Sequence, residues 1–276
     1  MSQIDDQEKV RVEESGEARA RSLYLDLMKR CLSNTIYRDQ ALTYADSLEG
    51  LKSGDRTLHE FDGRTREMGR DYPEHAHTMI GMRRLDNLQY CVERVIQEGV
   101  EGDLIETGVW RGGATIFMRA VLRAYSEQDR NVWVADSFEG LPEADPKAYP
   151  LDRIAPLHLL NDFLAVSADT VRENFARYGL LDDRVRFLEG FFRDTLPTAP
   201  IERLAVLRLD GDMFESTMDA LTHLYPKLSP GGFVIVDDYH VMPPCRFAVE
   251  RYRKEHGISS PIRDIDGSGV YFQRPA

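Results

Sequence analysis

The chain has 276 residues, 42% of them hydrophobic and 30% charged, which suits one α/β domain with added helices or a domain and a half. Its formal net charge of −12 argues against a nucleic-acid partner held through the phosphate backbone, which needs clustered Lys and Arg. No apolar run reaches the roughly 18 residues of a spanning helix, so no membrane partner is expected. The acidic start MSQIDDQEKVRVEESGEARA lacks the apolar stretch of a secretory signal. Cys31, Cys91 and Cys245 show no metal-ligand spacing and are expected to be reduced thiols in a cytoplasmic protein.

Residues 1–20 read as a solvated, frayed lead-in, 21–84 as a polar helical extension with a lid, and 85–276 as an α/β domain. Within 22–37, Leu23, Leu27, Cys31 and Thr35 recur at near-helical spacing, and Leu25, Met28, Leu32 and Ile36 widen the stripe, so this helix should face something apolar. Residues 40–72 are mostly polar and are expected to contain a mobile loop, often a lid in a compact enzyme. Residues 84–98 make an amphipathic helix through Leu85, Leu88, Val92, Val95 and Ile96. Short strands follow at 103–108, 132–137, 185–190, 203–210 and 232–238, with helices at 112–126, 168–179 and 214–228. The last helix is expected to stop at LSPGG, where Pro230 and Gly231 lead into a strand. Residues 262–266 and 269–274 read as a closing hairpin around Gly267. Five strands joined by helical crossovers and then an antiparallel pair predict a seven-stranded, doubly wound, Rossmann-like α/β sheet, in which ligands bind at the carboxyl ends of the strands.

Those ends carry the informative residues. Glu106-Thr107-Gly108-Val109-Trp110-Arg111-Gly112-Gly113 follows the first strand and opens a helix, and its glycines allow a tight turn and close approach of a ligand. The spacing is E-x-G-x-W-x-G, not G-x-G-x-x-G, and a carboxylate beside a glycine turn suits an ammonium group better than a pyrophosphate. Asp136 ends the second strand, 30 residues after Glu106, where an acid typically hydrogen-bonds ribose hydroxyls. The third strand ends in Glu189-Gly190-Phe191-Phe192, a small residue and aromatics that suit the flanks of an adenine ring. Asp210 ends the fourth strand, and Asp237 and Asp238 end the fifth. Neighbouring strands bring these three acids together, where they repel unless a cation or protons intervene. Oxygen-only ligands suit Mg²⁺, with Ca²⁺ or Mn²⁺ as alternatives. A hard cation there would lower the pKa of a sugar or phenol hydroxyl, and Asp210 is assigned the double role of ligand and base. Asp212 is a further ligand or a loop cap.

The runs HTMIGMRRLDNLQYCVE, DLIETGVWRGGATIFMRAVLRAY, VWVADSFEGLP, ENFARYGLLDDRVRFLEG, LAVLRLDGDMFESTMDALTHLYPKLSPGGFVIVDDY and AVERYRKEHGI resemble the macrocin and mycinamicin sugar O-methyltransferases, and equally the noviose O-methyltransferase of novobiocin assembly. The resemblance covers about residues 22–40 and 71–274. It implies a class I methyltransferase fold, S-adenosyl-L-methionine as cofactor, a Mg²⁺ site and a deoxysugar hydroxyl as acceptor, on a glycoside or free sugar. It implies Asp210, Asp237 and Asp238 as metal ligands, with Asp210 also the base, and Glu106, Thr107, Gly108, Asp136 and Ser137 as cofactor contacts. The turn glycine Gly113, Met79 of the His77–Gly81 stretch, and Gly190 and Phe191 at the third strand complete the expected cofactor site. Family members form dimers, so a homodimer or higher homo-oligomer is expected. Residues 45–70, the stretch 143–167 and the run YHVMPPCR depart from the family pattern, so the chemistry carries over more safely than the acceptor. His158 and His240 either touch the acceptor or, as favoured here, have ordinary loop roles.

A catechol or phenol O-methyltransferase would share the same metal logic. An NAD-dependent oxidoreductase would share the ribose-binding acid but lacks the G-x-G-x-x-G turn. A scaffold protein would gather three aspartates at great cost without a ligand.

Overall fold

The fold, a computed structural model, describes residues 15–44, 48–145, 147 and 149–275. Of the expected lead-in, residues 1–14 lie outside the described residues, and residues 16–20 are the first turns of α1 (Gly16–Leu32), capped by the Ser15 hydroxyl, which accepts from the Ala18 amide. The helix starts and ends earlier than its apolar pattern predicts. Its buried residues include Leu25, Met28 and Leu32, whereas Leu23 and Leu27 are 63% and 53% exposed. Two apolar stripes compete on this helix, and periodicity alone does not tell which one the core selects.

Residues 40–72, expected to contain a mobile loop, hold β1 (Ala41–Tyr44), α2 (Leu48–Ser53), β2 (Arg56–His59), α3 (Gly63–Glu67) and, at their end, β3 (Tyr72–Pro73). The strands form an antiparallel sheet in the order β2-β1-β3, with Ala41 opposite both His59 and Pro73. Strands of two to four residues are too short for a period-two signal, and β2 is exposed along its length, so no apolar residue marks a buried face. An ionic cluster braces the segment, alongside the packing of Tyr44, Leu42 and Leu51 on Leu160 and Phe163. Arg66, 1% exposed, donates through Nη1 to Asp39 Oδ1 at 2.6 Å and to the Ser33 carbonyl at 3.0 Å, and through Nε to Asp71 Oδ2 at 2.8 Å. Asp39 in turn accepts from the Ala76 amide at 3.1 Å. Arg66→Met leaves two buried carboxylates unpaired and is expected to cost about 3–5 kcal/mol. Thermal denaturation should show a loss of roughly 10 °C; a shift under about 2 °C would mean that the cluster does not hold the segment.

The larger sheet follows the predicted alternation. Its elements are α4 (Gly81–Gln97), β4 (Asp103–Thr107), α5 (Gly113–Ala124), β5 (Val132–Asp136), α6 (Asn161–Leu164), α7 (Ala168–Arg177), β6 (Val185–Glu189), α8 (Phe192–Thr195), β7 (Leu204–Leu209), α9 (Phe214–Leu224), β8 (Leu228–Val236), α10 (Pro243–Glu255), β9 (Arg263–Asp264) and β10 (Val270–Gln273). The strand order is β6-β5-β4-β7-β8-β10-β9, parallel from β6 to β8 and antiparallel at β10 and β9. Period-two alternation splits the core into two layers. Leu104, Val206, Phe233 and Ile235 pack with α1, α4 and α5, while Ile105, Leu207, Val234 and Val236 pack with α9 and α10.

Two details differ from expectation. LSPGG is not a helix stop: α9 ends at Leu224, a 3-10 turn covers Tyr225–Lys227, and LSPGG is the first half of β8, where the register against β7 shifts. Pro230 is exposed there, consistent with a proline tolerated at an irregularity. Helix α10 went unread, although Pro243 at its first position and Cys245, Ala248, Val249 and Tyr252 at helical spacing mark it; charged residues fill most of its other positions. Among the described residues no helix is long and apolar enough to cross a membrane.

The chain winds outward in both directions from β4, toward β5 on one side and β7 on the other. That reversal opens a crevice beyond the carboxyl ends of β4 and β7, where Gly108 and Asp210 stand.

Candidate active site

A cleft of about 490 Å³ occupies this crevice. Met79, Glu106, Gly108, Asp136, Ser137, Phe191, Asp210, Asp237 and Asp238 line it, together with Gly69–Tyr72 from the extension. Three expected cofactor residues do not. Thr107 is buried, and its hydroxyl donates to the Arg208 carbonyl at 3.3 Å. Gly113 lets α5 back onto the chain at His77: its amide donates to the His77 carbonyl at 2.9 Å, and a Cβ would lie 2.3 Å from that oxygen. Gly190 makes the turn after β6 with φ +134°. Neither His158 nor His240 lines the cleft; His240 Nε2 lies 3.2 Å from Asp264.

The turn after β4 is shaped by Asp136. Its Oδ2 accepts from the Val109 amide at 2.7 Å and its Oδ1 from the Phe138 amide at 2.8 Å, so one carboxylate ties two strand ends together while facing the cleft. Burial raises its pKa despite these bonds. Trp110 sits in the left-handed region at φ +49°, and its indole donates to the Phe163 carbonyl at 3.0 Å. That bond fixes α6 over the cleft. Asp152 adds a second tie: its carboxylate accepts from the Phe214 and Glu215 amides at 2.5 and 3.1 Å, capping α9 from 62 residues earlier in the chain. The divergent stretch 143–167, of which residues 146 and 148 lie outside the described residues, thereby walls the cleft through Leu157, Leu160 and Leu164.

The charged end of the site follows from strand register. Glu106 on β4 is paired with Arg208 on β7, and Arg208 with Ile235 on β8. Two residues further along, Asp210 and Asp237 project on the same face. Arg208, 1% exposed, donates through Nη1 to Glu106 at 2.5 Å and to Asp210 at 2.6 Å, and through Nη2 to Asp237. Arg84, from the first turn of α4, holds the other oxygen of Asp237, lies 3.1 Å from Asp266 and donates to the Gly69 carbonyl at 2.8 Å. Neither arginine figured in the expected site. Arg208 was findable, as a charged residue inside an otherwise apolar strand two positions before Asp210. Arg84 is one charged residue on a helix and gave no such signal.

Four carboxyls, Glu106, Asp210, Asp237 and Asp266, pair with these two guanidiniums, and Asp212 and Asp238 crowd the same end of the cleft without an ion pair to either. Burial pushes Glu106 up to about 8 against the pull of Arg208, and pushes Asp212 up to about 8 with help from Asp210 and Asp237. Asp238 is raised well above the carboxylate range by burial and by Asp212, Asp237 and Asp210. One oxygen each from Asp210, Asp237 and Asp238 lies within 4.8 Å of the others. Asp238 Oδ2 is buried and no donor among the described residues reaches it. Three hard carboxylates with Asp238 Oδ2 left bare fit a divalent cation such as Mg²⁺.

This strand order, with its crevice at the β4/β7 reversal, is that of the class I methyltransferases. A family model for Macrocin-O-methyltransferase (TylF) matches residues 21–274, and the chain belongs to that family of O-methyltransferases. It is 58% identical over 260 residues, 93% of its own length and 94% of the relative's, to the 8-demethyl-8-(2,3-dimethoxy-alpha-L-rhamnosyl)-tetracenomycin-C 4'-O-methyltransferase of Streptomyces olivaceus. It is 56% identical over 256 residues, 92% of the chain and 97% of the relative, to the Mycinamicin III 3''-O-methyltransferase of Micromonospora griseorubida. Among solved structures, the O-methyltransferase NovP superposes with a TM-score of 0.85 at 53% identity, covering 93% of this chain and 100% of that one. The calicheamicin methyltransferase CalS11, at 20% identity and a TM-score of 0.58 with 99% of each chain covered, shares the fold.

Proposed function

We propose that this enzyme transfers a methyl group from S-adenosylmethionine to a hydroxyl of a deoxysugar on a natural-product glycoside, with Mg²⁺ or a similar divalent cation bound by Asp210, Asp237 and Asp238. The observation that carries this is the meeting of those three carboxylates beside the Glu106–Gly108 turn in one cleft. The acceptor class rests on the relatives, whose names specify a rhamnosyl tetracenomycin, mycinamicin III and demethyldecarbamoylnovobiocin.

In this reading Glu106 receives the cofactor's ammonium group, Asp136 and Ser137 its ribose hydroxyls, and Phe191 one face of its adenine. Met79 borders the same space, and Thr107, Gly113 and Gly190 act only by shaping the backbone around it. The bound cofactor supplies a sulfonium methyl, and the cation supplies positive charge that lowers the pKa of a hydroxyl held against it. Asp210 would accept the proton of the acceptor hydroxyl. The walls described above keep water from competing for the methyl group.

Incubation with methyl-labelled cofactor and a panel of deoxysugar glycosides is expected to label a glycoside, to stop with EDTA and to resume on adding excess Mg²⁺. Turnover that ignores chelation would remove the metal from the mechanism. Labelling of catechols but no glycoside would overturn the acceptor class. A homo-oligomer is proposed as well, supported by the exposed Leu23, Tyr24 and Leu27 on the outer face of α1; a monomeric mass by light scattering would reject it.

A further inference from the structure

A buried arginine that touches three carboxylates is more than a counter-charge. Arg208 stands midway between the two halves of the proposed site. Its Nη1 is shared between Glu106, on the cofactor side, and Asp210, on the metal side, and its Nη2 reaches Asp237 on the next strand. Three adjacent strands, β4, β7 and β8, each send an acid to this one planar group. Without it, carboxylates in register on neighbouring strands would repel and turn away from one another. The guanidinium fixes their spacing as well as their charge, because its donors lie in a rigid fork.

We propose that Arg208 is a positioning residue that sets the geometry of the cofactor-binding carboxylate and of the metal-binding carboxylates together, so that one side chain governs affinity for two ligands it need not touch. This inference rests on the cofactor and metal reading above. The alternative, a simple counter-charge, makes an opposite prediction for the metal. Removing a positive charge from beside Asp210 and Asp237 would by itself strengthen their attraction for a cation. Removing the fork that aims them weakens it.

The test measures binding of Mn²⁺ and of S-adenosylhomocysteine by calorimetry to the wild type, to Arg208→Lys and to Arg208→Met, with thermal denaturation of each in parallel. Lys keeps the charge but cannot hold three acids at fixed angles, so it separates position from charge even where Met unfolds the chain. The expected result for Arg208→Lys is a loss of at least about tenfold in affinity for both ligands, measured on the folded fraction. Glu106→Gln should by contrast weaken only S-adenosylhomocysteine, and Asp238→Asn only Mn²⁺. Wild-type affinities for both ligands in Arg208→Lys, or tighter Mn²⁺ binding in a folded Arg208→Met, would overturn the proposal and leave the functional reading standing. A wild type that binds neither ligand would overturn both.

Discussion

Asp210→Asn is expected to lower kcat by about 10²–10⁴-fold, the range for loss of a general base, while affinity for S-adenosylhomocysteine stays within about threefold. Asparagine keeps the shape of the side chain and an oxygen that can still accept from Arg208 Nη1, so the 2.6 Å contact survives. What is lost is the negative charge toward the cation and the ability to take a proton. Burial raises the pKa of Asp210 while Arg208 pulls it back. The cofactor side should be spared, since Glu106 reaches the cleft from a different strand. Steady-state kinetics with saturating Mg²⁺, set beside calorimetry of cofactor-product binding, reads both quantities. Near-normal kcat would remove Asp210 as the base, and a large loss of cofactor affinity would show that the substitution damages the whole cleft.

The strands of the larger sheet were legible to within a few residues because each is a short apolar run ending in a polar residue and followed by a turn, so the seven-stranded doubly wound sheet and the meeting of Asp210, Asp237 and Asp238 at neighbouring strand ends could be expected. The small β2-β1-β3 sheet was not legible, since it is braced by Arg66, Asp39 and Asp71 and by the packing of Tyr44 and Tyr72 on Phe163, all brought together from separate segments, and no local pattern encodes that. The same holds for Arg84 and for Asp152, which caps a helix 62 residues away. Helix α1 was recognised as a helix with a wide apolar stripe that includes the buried Leu25, Met28 and Leu32, but which part of the stripe is buried was not legible, because Leu23 and Leu27 are as apolar and only the packing against α4 and α5 distinguishes them. Local chemistry marks elements and strand ends; contacts distant in sequence decide how the site is braced.

The closest brace is backbone against backbone, and it supports the second large effect. Gly108 has φ +89°, and a Cβ built there would lie 1.9 Å from the Asp210 carbonyl oxygen. The turns after β4 and β7 are thus in direct contact, held by the Asp210 amide donating to the Thr107 carbonyl at 2.9 Å, while the Gly108 amide donates to the Ala135 carbonyl of β5 at 2.8 Å. In Gly108→Ala the added methyl can be accommodated only by separating these turns by more than about an ångström, a displacement of the size that costs roughly 10² in rate. The left-handed backbone adds about 1–3 kcal/mol of strain. Turnover and S-adenosylhomocysteine affinity should therefore both fall by about a hundredfold or more, with a lower melting temperature. Gly112→Ala is the control for strain alone: φ there is +84°, but the methyl would meet Val171 Cγ1 at 2.7 Å, the end of a side chain at the start of α7, away from the acids. The two variants should lose comparable stability, while only Gly108→Ala loses the site. Equal losses of ligand affinity in both would mean that backbone strain, and not the approach of the two turns, explains the effect.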